Sequence, residues 1–134
     1  LADELAVAVA DAGVGDVVTL VGFSPDPLAE MAEADVLLSP STYEGLPFTP
    51  LEALSTGLPL VLSNIAPHAE LVGSSGGPGA QVVGGREPEA WEAAVARVAA
   101  DLPGASRDAL ARATEHDLAT MVERTLEVYR RATA

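Results

Sequence analysis

Two short apolar runs constrain this chain more than any other feature. They are Asp35-Val36-Leu37-Leu38-Ser39-Pro40-Ser41 and Leu58-Pro59-Leu60-Val61-Leu62-Ser63, both rich in branched side chains. Runs that short and that apolar read as buried strands of a parallel sheet. Between them, Ala53-Leu54-Ser55-Thr56-Gly57 reads as a short helix closed by glycine. The result is a strand–loop–helix–strand unit, with its loop at the carboxyl end of the first strand. In open α/β sheets, ligands bind at such ends.

The loop, Tyr43-Glu44-Gly45-Leu46-Pro47-Phe48, has chemical content. Glu44 sits just past the strand, where a carboxylate is either solvated or functional. Gly45 lets a backbone approach a ligand closely. Thr49, Pro50 and Glu52 read as a helix start, with Thr49 at the N-cap, Pro50 at the first helical position and Glu52 closing a capping box. Such a start aims free N–H groups and the positive end of a dipole at the mouth of the sheet, which suits phosphate. Glu52 is explained by the cap alone, yet one carboxylate oxygen can cap while the other binds a ligand.

The rest of the chain repeats the pattern. Leu1 to Ala12 reads as a helix ended by Gly13, and Asp16 to Gly22 as a strand. The Val21-Gly22-Phe23 end of that strand is expected to face the same side as the Glu44 loop. Phe23 reads first as a packing residue. Asp26 caps a short helix entered at Pro27 and running from Leu28 to Ala34. After Ser63 come a loop and a helical turn over His68 to Val72. His68 lacks metal spacing and a neighbouring nucleophile, so it reads as structural or exposed. Gly73 to Gly79 lacks the spacing and the Lys-Ser or Lys-Thr of a phosphate-binding loop, so it reads as a plain flexible connection. Ala80 to Val83 is a strand, and Pro88 to Leu102 an amphipathic helix with Trp91 as a core anchor. Pro103-Gly104 reads as a break. Ser106 to Arg112 and Asp117 to Ala132 read as helices, with His116 solvated near the start of the last. Four strands separated by helices imply a parallel sheet covered on both faces.

The length of 134 residues allows one domain. The formal charge of −13 argues against nucleic acid or an anionic membrane face as a partner. It also sits awkwardly with an anionic ligand. The absence of cysteine excludes disulfides and thiolate metal sites. No apolar run approaches the roughly 18 residues of a membrane span.

From Ala34 to Glu70 the chain resembles the donor-binding half of retaining GT-B glycosyltransferases of group 1. That family carries two glutamates with seven residues between them, followed by a Leu-Glu-Ala-Met-Ala-x-Gly-x-Pro-Val-Val-like run. Here they are Glu44 and Glu52, followed by Ala53-Leu54-Ser55-Thr56-Gly57-Leu58-Pro59-Leu60-Val61 and then Ser63-Asn64-Ile65-Ala66-Pro67-His68-Ala69-Glu70. Val18 to Phe23 looks like the preceding family strand, and Pro88 to Arg97 and Glu123 to Arg130 like the later helices.

The resemblance implies a Rossmann-like parallel sheet flanked by helices, forming the C-terminal half of a GT-B fold without its first strands. Residues 1–134 would then be a partial nucleotide-sugar-binding domain, with the N-terminal acceptor domain absent. The opening at Leu1 and the missing strands both predict a piece of a longer protein. The implied reaction moves a mannose- or glucose-like hexose from a nucleoside diphosphate sugar to a sugar, lipid or small-molecule acceptor, with anomeric configuration kept. By resemblance Glu44 contacts the donor sugar and is the candidate catalytic group, and Glu52 binds ribose. Gly45, Leu46 and Phe48 offer main-chain N–H groups within a donor-binding loop that includes Pro47 and Thr49. Gly22 and Phe23 would lie near the base. Pro47 replaces a glycine common in the family and removes one N–H.

No metal or other cofactor is expected, and the implied location is cytoplasmic, at most peripheral to the inner face of a membrane. The family's phosphate-neutralising Arg and Lys have no match here, so the isolated chain is expected to be inactive. Two rival readings stand beside this one: a non-catalytic nucleotide-binding regulatory domain, and a nucleotide-sugar hydrolase or epimerase on a similar fold.

Overall fold

A computed structural model describes residues 2–73 and 76–133. Its centre is a parallel sheet of three strands, β1 (Leu37–Ser39), β2 (Leu60–Ser63) and β3 (Ala80–Val83), in that spatial order. Leu37 pairs with Leu60, and Leu60 with Ala80; at the far end Ser63 pairs with Val83. Side chains alternate across a strand. Leu60 and Leu62 therefore face one layer and Val61 the other, and all three are fully buried.

The first layer is carried by α3 (Phe48–Thr56), α4 (Ala66–Val72) and α6 (Leu102–Ala113). Ala53, Leu54, Leu71, Val72 and Ala109 pack there on Leu60 and Leu62. The second layer is α5 (Pro88–Ala99), whose Ala94 and Val98 meet Val61 and Val83. Ala105 of α6 joins this second cluster, so α6 closes both layers beside β3. Helices thus cover both faces, as the alternating pattern requires. Trp91 is half-buried at the margin of the second layer rather than central to it, with its indole N–H donated to the Gly85 carbonyl at 3.4 Å.

Three expectations about elements are corrected. First, Asp16 to Gly22 forms no strand among the described residues. Val17 and Val21 are exposed, and no strand lies beside them to accept their backbone hydrogen bonds; a strand without a neighbour gains nothing from extending. Phe23 is 92% exposed and does not pack. Second, Pro103-Gly104 does not break the chain. Both lie in the first turn of α6, where Asp101 caps by accepting the Gly104 N–H at 3.0 Å and a proline costs no helical bond. Third, the glycine-rich stretch is only partly a loose connection, Ser74 and Ser75 lying outside the described residues. Gly79 is wedged against α6, and its N–H donates to Asp108 Oδ2 at 2.8 Å. The remaining predicted helices are present. α1 (Ala2–Asp11) precedes Gly13, α2 (Pro27–Glu33) is capped by Asp26, and α7 (Leu118–Ala132) is capped by Asp117.

Asp108 is the polar tie between α6 and the entry to β3. It also accepts from Arg112 Nε at 2.8 Å, and Arg112 Nη1 donates to the Val72 carbonyl at 2.8 Å. Burial pushes the Asp108 carboxyl up, but the Arg112 side chain, the Gly79 N–H and the Arg112 charge together hold it below its ordinary value of 3.8. A carboxyl lowered by folding stabilises the fold above its ordinary pKa, and that contribution is lost as the pH falls through the lowered folded value. Asp108→Asn is therefore expected to cost about 1–2 kcal/mol in urea unfolding at neutral pH. The gap to wild type should close below pH 3.8. Gly79→Ala would place a methyl 2.5 Å from the Ala109 nitrogen and 2.6 Å from the Ala105 carbonyl oxygen. Such overpacking against backbone is expected to cost about 1–3 kcal/mol in the same measurement.

Candidate functional site

Parallel strands send their carboxyl ends to one edge of the sheet. Here those ends are Ser39, Ser63 and Val83, and the loops after them share that edge. A side-chain and backbone network locks the first two loops. Ser63 Oγ donates to the Ser41 carbonyl. The His68 ring, fully buried on α4, places Nδ1 3.0 Å from the Ser63 carbonyl and 3.2 Å from Ser63 Oγ. A carbonyl only accepts, so Nδ1 carries the proton. His68 is thus structural, one of the two roles read for it, and its Nε2 is buried without a hydrogen-bond partner.

The loop from Pro40 to Pro47 then turns into α3. That helix starts at Phe48, earlier than the capping-box reading required. Pro47 stands at the N-cap with no side-chain cap bond, and Thr49 lies inside the first turn. Pro47 sets the boundary because its ring fixes φ, here −78°, where the chain must enter the helix. Glu52 consequently caps nothing, and among the described residues its carboxylate makes no hydrogen bond or ion pair. Glu44, half-buried before the helix, has an equally unengaged carboxylate. The expected amide donors are fewer by one: the Phe48 N–H is donated to the Leu46 carbonyl at 2.9 Å. The N–H groups of Gly45, Leu46 and Thr49 have no acceptor among the described residues.

Two clefts flank this loop. One, of about 720 Å³, opens over the carboxyl ends of all three strands; Ser41, Thr42, Asn64, Arg86 and Trp91 are among its lining. The other, of about 420 Å³, runs between Gly45-Leu46-Pro47 and α7, where Met121 and Arg124 face it. Gly22 and Phe23 line neither. Being outside the sheet, they are not brought to the loop. His116 is not solvated as expected: it is half-buried in a 3-10 turn, Thr114–His116, with Nε2 3.0 Å from the Leu71 carbonyl oxygen. Sequence reasoning missed Asn64, Arg86 and Arg124. The signal for the first two was available, since Asn64 directly follows β2 and Arg86 lies in the loop three residues past the end of β3.

Residues 2–101 match the family described as glycosyl transferases group 1. The chain belongs to that family. The matched span holds the whole sheet, the Glu44 loop and α3. Among similar proteins, a lipopolysaccharide core biosynthesis mannosyltransferase of Rhizobium meliloti is 30% identical over 116 residues, 84% of this chain and 33% of its own length. An α-(1→4)-mannosyltransferase of Mycolicibacterium hassiacum is 39% identical over 70 residues, 51% of this chain and 17% of its own. An amylovoran biosynthesis glycosyltransferase of Erwinia amylovora is 38% identical over 77 residues, 52% and 19% of the two chains. The chain spans about a third or less of the length of these relatives. The α/β architecture is that of a Rossmann-like half of a GT-B glycosyl transferase. No helix of the described residues is long and apolar enough to cross a membrane, and no group of three or more His, Asp or Glu residues among them could hold a metal ion.

Ser63→Ala removes the donor to the Ser41 carbonyl and is expected to cost about 1–2 kcal/mol in urea unfolding. It should also speed amide hydrogen exchange in the segment 40–47 while leaving α5 unchanged.

Proposed function

We propose that this chain is the nucleotide-sugar-binding portion of a retaining glycosyltransferase that moves a hexose from a nucleoside diphosphate sugar to an acceptor. The observation that carries this reading is the state of the loop. Glu44 and Glu52 are free carboxylates on either side of an uncapped helix start, at the carboxyl edge of a parallel sheet.

Glu44 is positioned to accept hydrogen bonds from hydroxyls of the donor sugar, and Glu52 from the ribose diol, for which a two-oxygen acceptor is suited. The N–H groups of Gly45, Leu46 and Thr49 take the diphosphate. Charge grows on that group as the glycosidic bond breaks, and fixed N–H dipoles stabilise it without reorganising. Pro47 contributes shape and no donor. This arrangement calls for no bound metal. The mannosyltransferases among the relatives favour mannose as the hexose. The acceptor-binding domain and basic groups for the diphosphate would lie outside this chain, which by itself would not complete transfer.

Titration of uridine and guanosine diphosphate sugars tests the reading by calorimetry. Glu52→Ala is expected to weaken both the sugar nucleotide and the free nucleoside diphosphate by about tenfold, the loss of a charged hydrogen-bond acceptor. Glu44→Ala should weaken the sugar-bearing ligand alone. If neither substitution alters binding, Glu44 and Glu52 are merely solvated and the reading fails.

A further inference from the structure

The larger cleft has a composition unlike the rest of the molecule. The chain carries 20 acidic residues against seven basic ones, yet no carboxylate lines this cleft. Its one charged lining residue is Arg86, the first basic residue in the sequence. Arg86 makes no hydrogen bond or ion pair among the described residues, whereas Arg97, Arg112 and Arg131 are each engaged. Beside it Trp91 is half-buried: it packs on the Val61–Val98 layer yet still lines the cleft. The hydroxyls of Ser41 and Thr42 and the Asn64 amide complete a polar wall. The network of Ser63, Ser41 and His68 holds that wall in place.

We propose that this cleft is a second carbohydrate subsite, for a sugar bearing a phosphate or carboxylate group. A sugar ring has an apolar face of C–H groups and an edge of hydroxyls. The Trp91 indole offers area to the first, and Thr42 and Asn64 offer donors and acceptors to the second. The anionic substituent pairs with the Arg86 guanidinium, which forms forked hydrogen bonds with phosphate and carboxylate alike. In so acidic a molecule, an anion is repelled least where no carboxylate lines the wall. The cleft lies beside the Glu44 loop, on the same edge of the sheet. That the subsite is a second one rests on the donor-site reading; the binding of an anionic sugar does not.

Trp91 is the only tryptophan in the chain, so its fluorescence reports on this cleft alone. Mannose 6-phosphate, glucuronate, mannose and inorganic phosphate are titrated into the protein and into Arg86→Gln and Glu44→Ala. The expected result is a saturable change in Trp91 emission with mannose 6-phosphate or glucuronate, weakened about tenfold or more in Arg86→Gln and unchanged in Glu44→Ala. Mannose should bind at least tenfold more weakly than its phosphate. The proposal is overturned if no anionic sugar perturbs Trp91, or if Arg86→Gln binds as wild type does. It is equally overturned if inorganic phosphate binds as tightly as the sugar phosphate, which would make the cleft a simple anion site. Nucleotide-sugar titration of Arg86→Gln separates the two readings, since loss of donor binding through Glu44 and Glu52 leaves the Trp91 response intact.

Discussion

The structure depends on the burial of β2 from every side. Leu60, Val61 and Leu62 are fully buried, and β2 is paired along both edges by strands that run the same way. Parallel neighbours cannot be joined by a tight turn. The chain must cross back between them, and α3 and α4 are those crossings. Two consequences follow together. These crossings cover one face of the sheet, leaving the other to α5, and each strand delivers its exit loop to the same edge. The position of the Glu44 loop beside the larger cleft is thus set by strand direction before any particular side chain matters.

Charge then divides the work along that edge. A molecule with a formal charge of −13 has few ways to hold an anion. Main-chain amides are one, because they present partial positive charge at no cost in side-chain cations. Gly45, Leu46 and Thr49 are free for this because α3 is entered through Pro47 and left without a side-chain cap. An uncapped helix start leaves N–H groups for water or a ligand. An isolated arginine is the other way, and Arg86 stands where no lining carboxylate competes for it. The two devices are adjacent but separate.

Part of this was legible in the residues. The strands at Leu37, Leu60 and Ala80 are mostly apolar runs too short for helices. The cap at Asp26 was visible as an acidic residue just before a helical pattern. The Glu44 loop stood out through its resemblance to a family whose membership the matched span bears out. Where local reading failed, the competing influence was tertiary. The stretch from Asp16 to Gly22 has strand composition, but no neighbour pairs with it. Glu52 has capping-box spacing, but the helix starts upstream of Thr49. Pro103-Gly104 has the composition of a break, but Asp101 supplies a cap in front of it.

The sequence alone therefore determined the elements whose signal is local: apolar period, proline at helix starts, and glycine at helix ends. It determined the charge balance as well, and with it the need for main-chain or isolated cationic anion sites. Only the tertiary structure decided which groups stay unengaged. The free carboxylates of Glu44 and Glu52, the buried ring of His68, the tie from Asp108 to Gly79, and the meeting of Arg86 with Thr42 and Asn64 around one cleft depend on residues far apart in the chain. The physical reason is that a hydrogen bond or an empty cleft is a property of pairs in space. A linear pattern specifies such pairs only after the sheet has fixed which loops share an edge.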